Sequence, residues 1–149
     1  MRNELMDVLK LAMKSGDRLK VETIRMVQSA LKNRDIEARG EGKTLSSADE
    51  MAVLQKLVKS RQESVELYQK GGRDDLADKE RAEIAIIQSF LPQQMSEAAT
   101  HEAIAAAIAE VGAVSIKDMG KVVGALKAKY AGQMDFAKAS QAVKVALGS

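Results

Sequence analysis

Asp17-Arg-Leu-Lys-Val-Glu-Thr-Ile-Arg-Met-Val-Gln-Ser-Ala-Leu31 is the stretch that decides the fold class. Behind Leu19, the residues Ile24, Val27 and Leu31 recur at three- and four-residue intervals, which gives a helix one apolar side and one polar side. Asp17 stands where a helix-capping carboxylate belongs, and Gly16 is a natural stop for the segment before it. The pattern predicts a long helix that fades by Gly40.

The same reading extends outward. Residues 3–15 form a first helix, with Leu5, Val8, Leu9, Leu11 and Ala12 giving its apolar side. Beyond the polar loop Gly40-Glu-Gly-Lys-Thr44, Ser47-Ala-Asp-Glu50 matches a capping box, in which hydroxyl and carboxylate each accept the other residue's free amide. The third helix then carries Met51, Leu54, Leu57, Val58, Val65 and Tyr68 to Gly71-Gly72. A fourth begins near Asp74-Asp75 and runs through Ile84 and Ile87 to Phe90-Leu91, where Pro92 forbids its continuation. After Pro92 arginine disappears and alanine rises. Ser96 or Thr100 starts a helix that ends at Gly112, Ser115-Ile-Lys-Asp118 opens one to about Tyr130, and Asp135 caps one reaching Leu147. The expectation is an all-α chain: a four-helix bundle-like domain over residues 1–91, a linker at 92–95, and a small three-helix domain over 96–149.

Composition supports this and narrows the chemistry. Trp is absent and aromatics are 3%, so the core must come from aliphatic side chains, alanine and eight methionines. Cys is absent, which excludes disulfides and thiol catalysis. His101 is the one histidine, too few for an oriented relay or a zinc site, and its polar neighbours make it a surface residue. Gly40-Glu-Gly-Lys-Thr44 lacks the spacing and the preceding strand of a phosphate-binding loop. Asp74, Asp75, Asp78 and Glu80 are read as helix-start carboxylates rather than a metal or acid–base site. No stretch reaches the roughly 20 apolar residues of a membrane span, and the N-terminus has no apolar signal core. A cytoplasmic protein with no metal, no cofactor, no membrane contact and no small-molecule substrate is expected.

Three segments carry more than periodicity. In Tyr68-Gln-Lys-Gly-Gly-Arg-Asp-Asp-Leu76, two glycines turn a tight corner and Arg73 can fork onto a nearby carboxylate. In Ile86-Ile-Gln-Ser-Phe-Leu-Pro-Gln-Gln-Met95, an apolar helix end precedes Pro92. In Lys117-Asp-Met-Gly-Lys-Val-Val-Gly-Ala-Leu126, Gly120 and Gly124 stand four apart on one helix face. Two such glycines cost roughly 1 kcal/mol each in helix propensity, which asks for a packing or binding reason.

Taken in order, these three segments resemble the GatB/YqeY family, and specifically its free-standing YqeY-like members, from about Leu5 to Leu147. The residues that carry the resemblance are Tyr68, Arg73, Asp75, Leu76, Pro92, Asp118, Gly120, Gly124 and Asp135. The resemblance implies a helical unit like the C-terminal, tRNA-contacting part of the GatB component of the bacterial aspartyl/glutamyl-tRNA amidotransferase. Nothing in the chain resembles that enzyme's catalytic portion, so its carbon–nitrogen ligase activity with glutamine as amido-N-donor is not carried over. One departure matters: Gly132-Gln-Met-Asp135 stands where the resemblance leads one to expect Gly-Arg-x-Asp. That removes a planar phosphate-gripping guanidinium.

Charge distribution gives independent support. From Ser115 onward there are six lysines (117, 121, 127, 129, 138 and 144) against the acids Asp118 and Asp135, whereas residues before Pro92 carry seventeen cations against sixteen acids. Lys117, Lys121, Lys127, Lys129 and Lys138 are the RNA-binding candidates; each would contribute salt-sensitive affinity for phosphates. Tyr130 and Phe136 are the only aromatics nearby, so backbone and shape recognition of a folded RNA suits the segment better than base stacking. The expected function is a non-catalytic, tRNA-associated accessory module whose partner is tRNA or an amidotransferase–synthetase assembly. The alternative is a protein-interaction adaptor that docks through the Gly120/Gly124 face without nucleic acid.

Overall fold

The computed structural model describes residues 1–148. Within them the chain is all-helical, with no strand, and divides after Pro92 into two units. The first holds α1 (Arg2–Ser15), α2 (Arg18–Gly40), α3 (Ser47–Lys70) and α4 (Asp74–Gln88). The second holds α5 (Glu97–Val111), a 3₁₀ turn (Ile116–Asp118), α6 (Met119–Tyr130) and α7 (Phe136–Ala146). No single described helix is long and apolar enough to cross a membrane.

In the first unit the apolar stripes converge. Leu5 and Leu9 of α1, Ile24, Val27 and Leu31 of α2, Leu54 and Val58 of α3, Ile87 of α4 and Phe90 form one core. Local chemistry sets the ends. Gly16 ends α1 at φ 73°, a left-handed conformation that suits glycine, and the Asp17 carboxylate accepts the Lys20 amide at 3.2 Å to open α2.

In the first unit, two boundaries differ from the sequence reading. The capping box of α3 is built one residue earlier, from Ser46 and Asp49, with reciprocal bonds of 3.0 and 3.1 Å. Glu50 is instead taken by Arg2 at 2.6 Å, while the same guanidinium forks onto Asp35 at 2.6 and 2.7 Å. A tertiary ion pair therefore decides between two equivalent local signals. The second difference is at α4, which ends at Gln88 rather than running on to Leu91. The Ser89 hydroxyl satisfies the Ile86 carbonyl, and Leu91, ahead of Pro92, is biased away from helical geometry. Phe90 and Leu91 follow as successive turns, and Phe90 still reaches the core.

Arg61 ties three helices together. It pairs with Glu83 of α4 at 2.8 Å, lies 3.9 Å from Glu80, and donates to the Leu57 carbonyl and to the Met26 sulfur of α2. With all three charged side chains about one-fifth exposed or less, this pairing holds its members in place more than it adds net stability.

The second unit has a thinner core: Ala103, Ile104 and Ala107 of α5, Val122 and Leu126 of α6, Met134, and Ala139 and Val143 of α7. Ser96 caps α5 by accepting the Ala99 amide at 3.1 Å, and Gly112 ends it at φ 67°. The single helix expected from Ser115 is a 3₁₀ turn followed by α6 proper. Gln94 and Met95, residues of the expected linker, are bound to this unit: the Gln94 amide donates to the Gly132 carbonyl at 2.6 Å and the Met95 amide to the Gln133 carbonyl at 2.9 Å.

Candidate nucleic-acid interface

The candidate surface begins in the connection between α5 and α6. The Asp118 carboxylate accepts the Val114 amide at 3.0 Å and the Ser115 amide at 3.4 Å, closing the chain into the 3₁₀ turn that carries Lys117. The bond from Val114 holds this carboxyl below its ordinary value; desolvation opposes it, and the bond from Ser115 and the nearby Lys121 charge add smaller lowering effects. Because the folded carboxyl is the stronger acid, its contribution is present above the ordinary carboxylate range and is lost as pH falls through the folded value. In ¹H–¹⁵N spectra the Val114 and Ser115 amides should therefore titrate together with a midpoint below 3.8. A midpoint at or above that value would show that the carboxylate does not hold the turn.

From this turn α6 presents two faces. Val122 and Leu126 are buried. At about 100° per residue, Lys117, Gly120, Lys121 and Gly124 share the opposite side, and all four are exposed. A Cβ built on Gly120 or Gly124 meets no atom within 4 Å, so no described residue of the second unit uses the close approach they permit. Packing among the described residues of this unit is therefore not the reason for the two glycines. Val114 at 87% and Ile116 at 41% leave apolar surface at the start of the same helix.

The other candidates are placed differently. Lys127 is exposed on the edge of the Lys117 face, whereas Lys129 is about 120° round the helix from Lys117. Lys138 is exposed in the first turn of α7, where its amide and that of Ala137 are capped by the Asp135 carboxylate at 3.3 and 3.0 Å. Asp135 thus has a local structural use, as does Asp118.

The remaining motif residues lie in the first unit, at the corner between α3 and α4. The Tyr68 carbonyl accepts the Arg73 amide at 2.8 Å, Gly72 takes φ 71°, and the Arg73 guanidinium forks onto Asp75 with two bonds of 3.1 Å. Leu76 is half-buried beside buried Ala77, and Pro92 closes the unit. These residues shape a turn. The acids near it face cations: Asp78 bonds Arg81 at 2.8 Å, and Glu80 lies near Arg61. Among the described residues, no three His, Asp or Glu side chains converge as metal ligands would.

A helical unit whose motif glycines and carboxylates shape turns and helix faces matches one described family. The model of the Yqey-like protein family fits residues 2–147, and the chain belongs to that family. Among curated relatives, the "Altered inheritance of mitochondria protein 41, mitochondrial" of Lachancea thermotolerans is 39% identical over 88 residues, 57% of this chain and 44% of the relative. Its counterpart from Eremothecium gossypii is 39% identical over 83 residues, covering 56% and 44%. The Saccharomyces cerevisiae protein of the same name is 36% identical over 88 residues, covering 57% and 45%. The matched stretch is thus under half of each relative's length.

These names overturn the cytoplasmic expectation, since the relatives are mitochondrial proteins. The physical reason is simple: a polar first turn and a helical, aliphatic composition suit any aqueous compartment, so they never distinguished one from another.

Proposed function

We propose that the chain is a non-catalytic module that associates with tRNA and serves the tRNA-dependent amidotransferase system. The observation that carries this reading is the open face of α6 and the 3₁₀ turn before it, where Lys117 and Lys121 alternate with two glycines that no described residue of the unit covers. Exposed ammonium groups gathered on one helix face suit a phosphodiester chain, whose affinity for a protein comes mainly from positive charge. Lys127 and Lys138 extend the positive surface, and Lys129 acts at its margin. The carbon–nitrogen ligase activity associated with such units is assigned to other domains or chains.

The second reading is an adaptor that docks a protein partner on the same face, and exposed Val114 and Ile116 favour it. The two separate by substitution. Binding of fluorescein-labelled tRNA, followed by anisotropy at low salt, should weaken with Lys117→Ala and Lys121→Ala and change little with Gly120→Leu and Gly124→Leu. Unchanged tRNA binding in the lysine variants would remove this face from RNA recognition and leave the adaptor reading.

A further inference from the structure

Summing charge by segment hides a feature of α2. Positions 18, 25, 32 and 39 are Arg18, Arg25, Lys32 and Arg39, one cation every seven residues. Seven residues make two turns less about 20°, so the four side chains form a slowly winding row, about 10.5 Å apart and about 32 Å long. All four are exposed, and Ile24, Val27 and Leu31 are buried on the other side of the helix.

Few acids stand beside the row, and its side chains are not tied down. Among the described residues, none of the four side chains makes an ion pair or hydrogen bond. Asp35, within electrostatic reach of Arg39, is already held by both terminal nitrogens of Arg2. Glu37 pairs with Arg34 instead. Glu22 lies on the row's own face and Asp35 borders it at the C-terminal end, while exposed Ser29 and Ile36 share the face. At the N-terminal end, Arg18 and Arg25 border an open cleft of about 370 Å³ walled in part by Met13 and Val21.

We infer that this row is a second polyanion-binding face, in the N-terminal unit, and that its ligand is the phosphate backbone of an RNA helix. The shape of the charge array makes the choice. A small anion is met by donors that converge, not by four strung along 32 Å (about six helical turns). An anionic membrane calls for bulky apolar side chains between the cations, and the row offers Ile36 alone. A protein interface calls for an apolar, desolvated centre, whereas here the apolar cleft lies at one end of the row. An RNA helix supplies a continuous line of phosphates and needs no pocket or aromatic platform, and three of the four cations are guanidiniums, whose planar fork matches phosphate oxygens. The choice of RNA rests on the proposed tRNA association; the surface and the residues are independent of it.

The test uses the full chain with Arg18, Arg25, Lys32 and Arg39 all changed to Gln, which keeps helix propensity and removes the charge. Circular dichroism confirms the fold, and anisotropy with a labelled 20-base-pair RNA duplex and with a labelled tRNA transcript is followed from about 50 to 200 mM salt. The plot of log affinity against log salt should become shallower by about 3 for the quadruple variant, with at least roughly a hundredfold loss at about 0.1 M salt. Wild-type affinity and slope in that variant, with binding lost in the Lys117/Lys121 variant, would overturn the row and leave the proposed function standing. The reverse pattern would uphold the row and remove the α6 face from RNA recognition. Wild-type binding to poly-glutamate or anionic vesicles but to neither RNA would overturn both.

Discussion

Leu126→Ala should unfold the C-terminal unit at temperatures where the native protein is intact. Leu126 is 1% exposed in a core that otherwise relies on Val122, Val143, Ile104, Met134 and three alanines. Replacing a buried leucine by alanine costs about 2–5 kcal/mol, through lost transfer energy and the cavity left behind. A unit comprising residues 93–149 has roughly 3–8 kcal/mol of stability in all, at about 0.05–0.15 kcal/mol per residue. The substitution thus consumes most of it, because alanine neighbours have few side-chain atoms with which to collapse into the space. A melt followed by circular dichroism should show a helical transition at least about 10 °C below that of the native chain. Leu67→Ala, at a position 69% exposed, should leave the melt almost unchanged and serves as the control. Coincident melts for Leu126→Ala and the native chain would refute the packing described for α5–α7.

The second large effect concerns binding. Reversing charge at both Lys117 and Lys121 to Glu should lower tRNA affinity by about a hundredfold or more at about 0.1 M salt, since each lost phosphate contact removes close to one decade and the new carboxylates repel the backbone. Folding should survive: both side chains are exposed, Glu is a good helix former, and negative charge suits the start of α6. Arg73→Ala is the informative comparison, because Arg73 is already forked onto Asp75 in the other unit. It should loosen the corner between α3 and α4 with little effect on tRNA. Equal losses in the two variants would mean that the effect reports on general instability.

What was legible in the sequence was local. Gly16, Asp17, Ser96, Gly112 and Asp135 act as stops and caps as their residue types predict, because these bonds span at most a few residues. Where two local solutions were nearly equal, distant residues chose. Ser46 with Asp49 and Ser47 with Glu50 offer the same box, and Arg2, some 48 residues from Glu50, settles the matter. The early end of α4 and the 3₁₀ start of α6 depend on the competing hydrogen bonds of Ser89 and Asp118. No periodicity reports those.

The candidate site was half legible. Motif reading marked Gly120 and Gly124, but only the folded unit shows that none of its described residues approaches them. Asp118 and Asp135 carried the motif resemblance, and the folded chain shows both carboxylates bound to nearby amides. The α2 row was visible as a seven-residue period. A segment sum masks it because the first unit is nearly neutral, its seventeen cations offset by sixteen acids that lie mostly off the row.

The salt dependence of tRNA binding by the unaltered chain tests the central claim most directly. Equilibrium anisotropy from about 50 to 200 mM salt should give a straight log–log plot falling with a slope of at least about −2, the release expected when two or more phosphates are neutralised. No binding at the lowest salt, or affinity that is flat across the range, would contradict an interface built from exposed cations on a phosphate backbone.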